Sequence, residues 1–222
     1  MNRSQVNAIL KESDAFIRSF GHILPPFAYW SPERMRAPDA ADIRARGLGW
    51  DITDYGQGRF EELGLFLFTT RNGTVEDLQR GRGMLYAEKI MITRTHQLSP
   101  MHRHTVKAED IINRGGGDLV IELFGPDETG GIDRAAEVVV PCDGTLRRLP
   151  AGAHLRLTPG ESVTLMPGLW HAFWAEKADC LVGEVSTVND DRTDNIFEMP
   201  IGRFSEITED EAPVHLLVSD YP

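Results

Sequence analysis

The 222-residue chain carries 34 Asp and Glu against 23 Lys and Arg, a formal net charge of −11, so its field repels polyanions and nucleic acid is excluded as an expected partner. With 41% hydrophobic and 26% charged residues it is apolar enough to fold around a core. Its opening segment has charges throughout and no apolar stretch of signal-peptide length, and no run approaches the roughly 20 apolar residues of a membrane span, so a cytoplasmic protein without membrane contact is expected.

In chain order, Ser4 to Phe20 places Val6, Ile9, Leu10, Phe16, Ile17 and Phe20 near helical spacing, which predicts a helix with Ser4 as N-cap and Gly21 as its stop. A proline and aromatic connection follows. APDAADIRARG then reads as a short helix capped by Asp39 and ended by Gly47. From there short runs rich in β-branched and aromatic residues, bounded by Gly, Asn or Pro, read as strands: GLGWDITDYG, LGLFLFTTRNG, LYAEKIMITRTHQ, DLVIELFG, AEVVVPCDGTLRRL, HLRLTPGESVTLMPG, WHAFWAE and CLVGEVSTV. One strand every dozen residues or so suggests an antiparallel sandwich or barrel. The expected organisation is one domain over residues 1–222, with a helical cover (1–47), a β-barrel (48–190) and an acidic tail (191–222) that keeps Ile196, Phe197, Phe204, Leu216 and Leu217 for packing on the barrel. Cys142 and Cys180 lack metal-ligand spacing and read as free, packed thiols.

Residues 99–117, SPMHRHTVKAEDIINRGGG, concentrate two imidazoles and a carboxylate ahead of three glycines. Alternation along a strand puts His102 and His104 on one face and turns Arg103 away. Glu109 lies an odd number of residues from both, so a turn through TVKA would be needed to lay it beside them on a neighbouring strand. Such a two-strand clamp wants a further ligand from elsewhere, and His171 follows a Pro-Gly turn in TPGESVTLMPGLWHAFW. His22, His96, His154 and His215 have no ligand-like spacing.

HxH, four residues, Glu109 and then the glycines Gly115 to Gly117 resemble the first cupin motif; Gly160, Pro167, Gly168 and His171 resemble the second, with Pro-Gly in place of Pro-x-Gly and Ala175 where many cupins have Asn. The implied fold is all-β dominated, a double-stranded β-helix or jelly-roll barrel with N-terminal helices. More narrowly, YAEKI, PMHRHTVKAEDIINRGGG, GLWHAFW, GEVSTVNDDRTDN and the terminal YP resemble the D-lyxose isomerase family of cupins, from about Leu85 to the end. That resemblance implies interconversion of aldoses and ketoses. It makes His102, His104, Glu109 and His171 the ligands of a manganese-type divalent ion; a homodimer is expected separately.

The chemistry of the donors agrees. Three imidazoles and a carboxylate suit Mn²⁺, Fe²⁺, Ni²⁺, Co²⁺ or Zn²⁺. In a six-coordinate ion they would leave two adjacent positions for O1 and O2 of an open-chain sugar. A base must then carry a proton between C1 and C2. Glu184, in CLVGEVSTV, is favoured if it faces a barrel interior, although an outward strand carboxylate is an equally ordinary reading. Glu198, Glu206 and the lysines remain alternatives. Lys89 and Lys107 are candidates for neutralising charge on substrate oxygens, and Asp190, Asp191, Asp194 and Arg203 for binding sugar hydroxyls. The expected reaction is D-lyxose to D-xylulose, or D-mannose to D-fructose, through a cis-enediolate. An iron-dependent dioxygenase and a non-catalytic sugar-binding or sensor protein are the rival readings.

Overall fold

The computed structural model describes residues 1–221; Pro222, the end of the terminal Tyr-Pro pair and of the expected tail, lies outside them. Helix α1 (Arg3–Ser19) is followed by α2 (Pro32–Arg36) and α3 (Ala41–Ala45). The residue before α1 is Asn2, whose backbone N–H donates to Gln5 Oε1, while Ser4 is not the cap and turns its hydroxyl to Asp210. Asp39 likewise caps nothing, because it sits inside a 3₁₀ turn, Pro38–Ala40, that runs straight into α3. The strands are β1 (Gly49–Thr53), β2 (Leu65–Asn72), β3 (Tyr86–Thr93), β4 (Ser99–His104), β5 (Glu109–Pro126), β6 (Ile132–Asp133), β7 (Val138–Cys142), β8 (Thr145–Leu149), β9 (Ala153–Leu157), β10 (Ser162–Leu165), β11 (Trp170–Thr187) and β12 (Asn195–Phe197). A short helix α4 (Val75–Arg80), capped by Thr74 and stopped by Gly81, lies between β2 and β3 where no element was expected.

Two 18-residue strands, β5 and β11, pair antiparallel along most of their length and organise the rest. On its other edge β11 pairs with β4 near its start and with β3 near its end, and β2 and β1 continue the sheet beyond β3. β5 in turn takes β9 and β10 on its free edge. The sheet is strongly curled, as its own connections require. Gly168 N–H, just before β11, donates to His104 O, and Thr187 N–H, at its end, donates to Ala108 O. The four residues between His104 and Glu109 reach at most about 3.6 Å each, whereas a flat 18-residue strand would hold its ends about 60 Å apart.

The expected hairpin through TVKA does not exist. β4 and β5 sit on opposite edges of β11, His171 being opposite His102 on one side and Leu123 on the other. The glycines Gly115 to Gly117 do not form a turn either. They lie inside β5, under a bulge of β11 where the register slips between Glu176 and Cys180, and Gly116 adopts φ +97°. A side chain at Gly116 would run into the backbone carbonyl of Asp179. Gly116→Ala should therefore cost well over ~1 kcal/mol of stability, measurable by chemical denaturation, since both φ and space forbid a Cβ.

The curled sheet buries both faces. Inside it Leu65, Leu67, Ile111, Leu119, Ile121 and Val182 belong to one apolar cluster. On the outside, Val6, Ile9, Leu10 and Ile17 of α1 cover Ile52, Phe66, Phe68 and Ile90, because the helix brings one apolar stripe to a sheet whose second face is also apolar. Leu217 joins that outer layer, and Leu216 packs with Met35 and Tyr221. Both cysteines are buried and free. Among the described residues no helix is long and apolar enough to cross a membrane.

Candidate active site

At one end of the interior the sheet brings three imidazoles together. His102 and His104 project from β4 and His171 from β11, and one ring nitrogen from each lies within 4.8 Å of the others. His102 Nδ1 is 2.8 Å from Pro100 O and His171 Nδ1 is 3.1 Å from Leu169 O. A carbonyl can only accept, so each Nδ1 carries a proton and each ring turns its Nε2 inward. Burial, then the neighbouring His171 and His104, hold His102 well below the ordinary histidine pKa, so it is neutral. Arg103 alternates outward and lies over Trp170.

Glu109 reaches this cluster from the first residue of β5, across the interior rather than along a ladder. Its Oε1 lies 3.2 Å from His171 Nε2 and 3.4 Å from His104 Nε2, yet that oxygen is buried without a hydrogen-bond partner. Burial alone would favour the neutral acid, but Lys107 and His104 outweigh it and keep Glu109 ionised, well below the usual carboxylate range. A buried carboxylate oxygen this close to two inward imidazole nitrogens is an arrangement that a cation held between them would stabilise. The donor set therefore fits a divalent cation.

Beyond Glu109 runs a row of paired charges. Lys107 Nζ lies 2.6 Å from Glu109 Oε2 and 3.0 Å from Glu184 Oε1. Lys89 Nζ lies 3.4 Å from that same Glu184 oxygen, 2.7 Å from Asn189 Oδ1 and 3.6 Å from Asp191 Oδ1. Arg203 Nη2 closes the row at 3.1 Å from Asp191 and 2.8 Å from Asp51. Burial opposes the charge on Lys107, but Glu109, Glu184 and Asp191 outweigh it and raise its pKa above the ordinary lysine value. Asp191 is depressed in spite of burial, by Arg203, Lys89 and Lys107.

Glu184 faces inward at 4% exposure, and the reason is the bulge. His171, Phe173 and Ala175 point inside, whereas beyond Glu176–Cys180 the inward residues are Cys180, Val182 and Glu184, so the inserted residues have switched the parity of the strand. Glu198 and Glu206 are not near the cavity: both are exposed, and Glu198 pairs with Arg134. Asp190 and Asp194 differ from expectation as well. Asp190 closes its own turn, accepting from Arg192 N–H and Thr193 Oγ1. Asp194 accepts from the backbone N–H groups of Thr105, Val106 and Lys107 and from the Thr105 hydroxyl, so its carboxylate is spent on shaping the loop that carries Lys107.

Several cavity residues were not singled out in the sequence. Tyr55 is buried, shares a hydrogen bond of 3.0 Å with Ser99, and packs edge-on against Phe197, which in turn lies 5.7 Å from the His102 ring. Burial pushes the Tyr55 hydroxyl up to about 12, so it stays protonated. Its φ of +55° is unusual for an aromatic residue and aims the ring inward from a turn whose Asp54 is tied to Ser205. The Asp-Tyr-Gly turn was the only hint. Asp51 could be read merely as one polar residue in an apolar strand.

A curled antiparallel sheet with imidazoles and a carboxylate converging inside it is the architecture of a cupin, and solved structures similar to it include sugar isomerases. L-ribose isomerase from Cellulomonas parahominis, solved with L-psicose, superposes with a TM-score of 0.62 at 16% identity over 94% of this chain and 98% of that one. The Acinetobacter sp. DL28 L-ribose isomerase, solved with L-ribose, gives 0.62 at 14% identity over the same shares. The chain belongs to the D-lyxose isomerase family, whose model matches residues 1–221. A D-lyxose/D-mannose isomerase of Serratia proteamaculans is 46% identical, and one of Escherichia coli O157:H7 is 44% identical, each over the whole chain and 98% of the relative. The protein is thus an aldose–ketose sugar isomerase, which sets aside the dioxygenase and sensor readings.

Proposed function

We propose that the protein interconverts D-lyxose with D-xylulose and D-mannose with D-fructose, using a divalent cation, Mn²⁺ foremost, held by His102, His104, Glu109 and His171. The observation that carries this reading is the buried Glu109 Oε1 beside two inward imidazole nitrogens at a cavity inside the sheet. When bound, such an ion polarises the substrate carbonyl and stabilises charge that develops on the sugar oxygens.

The chain's own groups do the rest. Glu184 is the buried carboxylate next in the row, and it takes the proton from C2 of the aldose and returns it to C1 of the cis-enediolate while the hydroxyl proton passes from O2 to O1, with the reverse for the ketose. Lys107 and Lys89, both against Glu184 Oε1, orient that carboxylate and supply positive charge beside the reacting oxygens. The apolar wall of Leu65, Leu67, Met91, Tyr55 and Phe197 excludes water from the intermediate. Lys89, Lys107 and Arg203 are each committed to carboxylates, which favours a neutral free sugar over a sugar phosphate.

The test is to chelate the protein and assay it against a panel of free aldoses and ketoses. Activity on D-lyxose and D-mannose should vanish and return with Mn²⁺, while circular dichroism of the chelated protein keeps its β signature, because the apolar clusters do not depend on the ion. An unfolded chelated chain would make the site structural. We further take the protein to act in the cytoplasm and to be a homodimer, the latter tested by sedimentation.

A further inference from the structure

Lys89 is 2% exposed, and among the described residues its ammonium makes one hydrogen bond, Nζ donating to Asn189 Oδ1 at 2.7 Å. The two carboxylates beside it stand farther off, Glu184 Oε1 at 3.4 Å and Asp191 Oδ1 at 3.6 Å. A buried ammonium left to itself closes on a carboxylate, since contacts between opposite charges are the stronger ones and settle at about 2.7–2.9 Å. Here a neutral amide takes the short contact and the ammonium stays between the two carboxylates.

Asn189 lies in irregular chain just past the end of β11, so its amide points at Lys89 only if its backbone is fixed from elsewhere. Asn72 supplies that. Its Oδ1 accepts from Asn189 N–H at 3.0 Å and its Nδ2 donates to Asn189 O at 2.9 Å, so one side chain grips both backbone groups as a neighbouring strand would. Nδ2 also donates to Arg46 O at 3.1 Å. An N–H on one side and carbonyls on the other allow the amide a single orientation. Asn72 reaches this place because β2 slips register against β3 between Thr69 and Arg71. Thr69, opposite Lys89, is buried; the inserted Thr70 then switches the parity, so that Arg71, opposite Glu88, is exposed and Asn72, opposite Ala87, is buried.

We infer that Asn72 and Asn189 are positioning residues for the isomerisation: Asn72 fixes the backbone of Asn189, and the Asn189 amide holds the Lys89 ammonium off Glu184. This rests on the reading of Glu184 as the base and of Lys89 as charge beside the reacting oxygens. Glu184 Oε1 already takes Lys107 at 3.0 Å. A second ammonium closing on the same carboxylate would occupy a lone pair that the substrate proton needs, and would withdraw its charge from the sugar oxygens. Neither asparagine lines the cavity around the imidazoles, so their effect passes through Lys89.

The experiment measures kcat, KM and metal content of the Mn²⁺-loaded full chain with D-lyxose. Asn189→Ala should lower kcat about tenfold to a hundredfold, the scale of a misplacement of about 1 Å, with KM and Mn²⁺ content little changed. Asn72→Ala should lower kcat in the same range, and the double variant should be no slower than the slower single one, because both act along one chain of contacts. Lys89→Met sets the reference: it should be slow by itself, and adding Asn189→Ala to it should slow it no further. Thermal melts establish that each variant is folded at the assay temperature, and Asn189→Ala, which removes only a loop side chain, decides the matter where Asn72→Ala loosens the fold. Unchanged kcat in Asn189→Ala, or a loss that multiplies with that of Lys89→Met, would make the asparagines merely structural and overturn the inference. Normal kcat in Lys89→Met would overturn the role given to Lys89 and this inference with it, while leaving the isomerase activity standing. No turnover of any aldose by the loaded wild type would overturn the isomerase reading of the cavity itself.

Discussion

His171→Ala should abolish turnover and lower Mn²⁺ occupancy, read by elemental analysis, while His154→Ala should change neither. His171 is the one imidazole that arrives on β11, and its Nε2 lies 3.2 Å from the unpartnered Glu109 oxygen. Removing it leaves that buried carboxylate with one imidazole fewer and the ion with three donors. Loss of an outer partner of a ligand already costs about 10–100-fold in affinity or activity, so loss of the ligand itself should exceed a hundredfold. His154 is exposed on β9 against Trp174 and serves as the control. His104→Ala should follow His171→Ala, since its Nε2 faces the same oxygen at 3.4 Å. Full metal content in either variant would sink the ligand assignment.

Glu184→Gln should keep the metal and lose about 10²–10⁴-fold in kcat, because the amide retains the shape but cannot take a proton. The same mechanism predicts an isotope result. A proton carried by a carboxylate can exchange with water, so isomerisation in D₂O should place deuterium on the reacting carbon, whereas a hydride shifted between C1 and C2 leaves none. Deuterium-free product at low conversion would count against the enediolate route. Normal kcat in the Gln variant would transfer the role to Asp191 or a lysine, because Glu198 and Glu206 lie outside the cavity.

Glu184 also shows where reading a strand from its residues stops. WHAFWAE and CLVGEVSTV are recognisable as strands because their apolar and β-branched composition is local, but they are one strand with a bulge between. Whether Glu184 faces in or out depends on the number of residues that bulge absorbs, a property of the pairing with β5. The glycines of β5 make that pairing possible by clearing space under the bulge.

Composition, alternation and turn residues by themselves determined an acidic, strand-rich chain behind an N-terminal helix, with His102 and His104 on one face, since these depend only on neighbours in sequence. The same residues carry the family resemblance. Only the tertiary structure decided that Glu109 crosses the interior instead of folding back in a hairpin, because the curl of β11 sets β4 and β5 on its opposite edges. It likewise put the Asp194 carboxylate to work on the 105–107 backbone, brought Tyr55, Asp191 and Arg203 around one cavity, and tied Arg203 to Asp51 across 152 residues of sequence. Contacts at that separation arise from the closing of the sheet, and no local pattern in the chain encodes them.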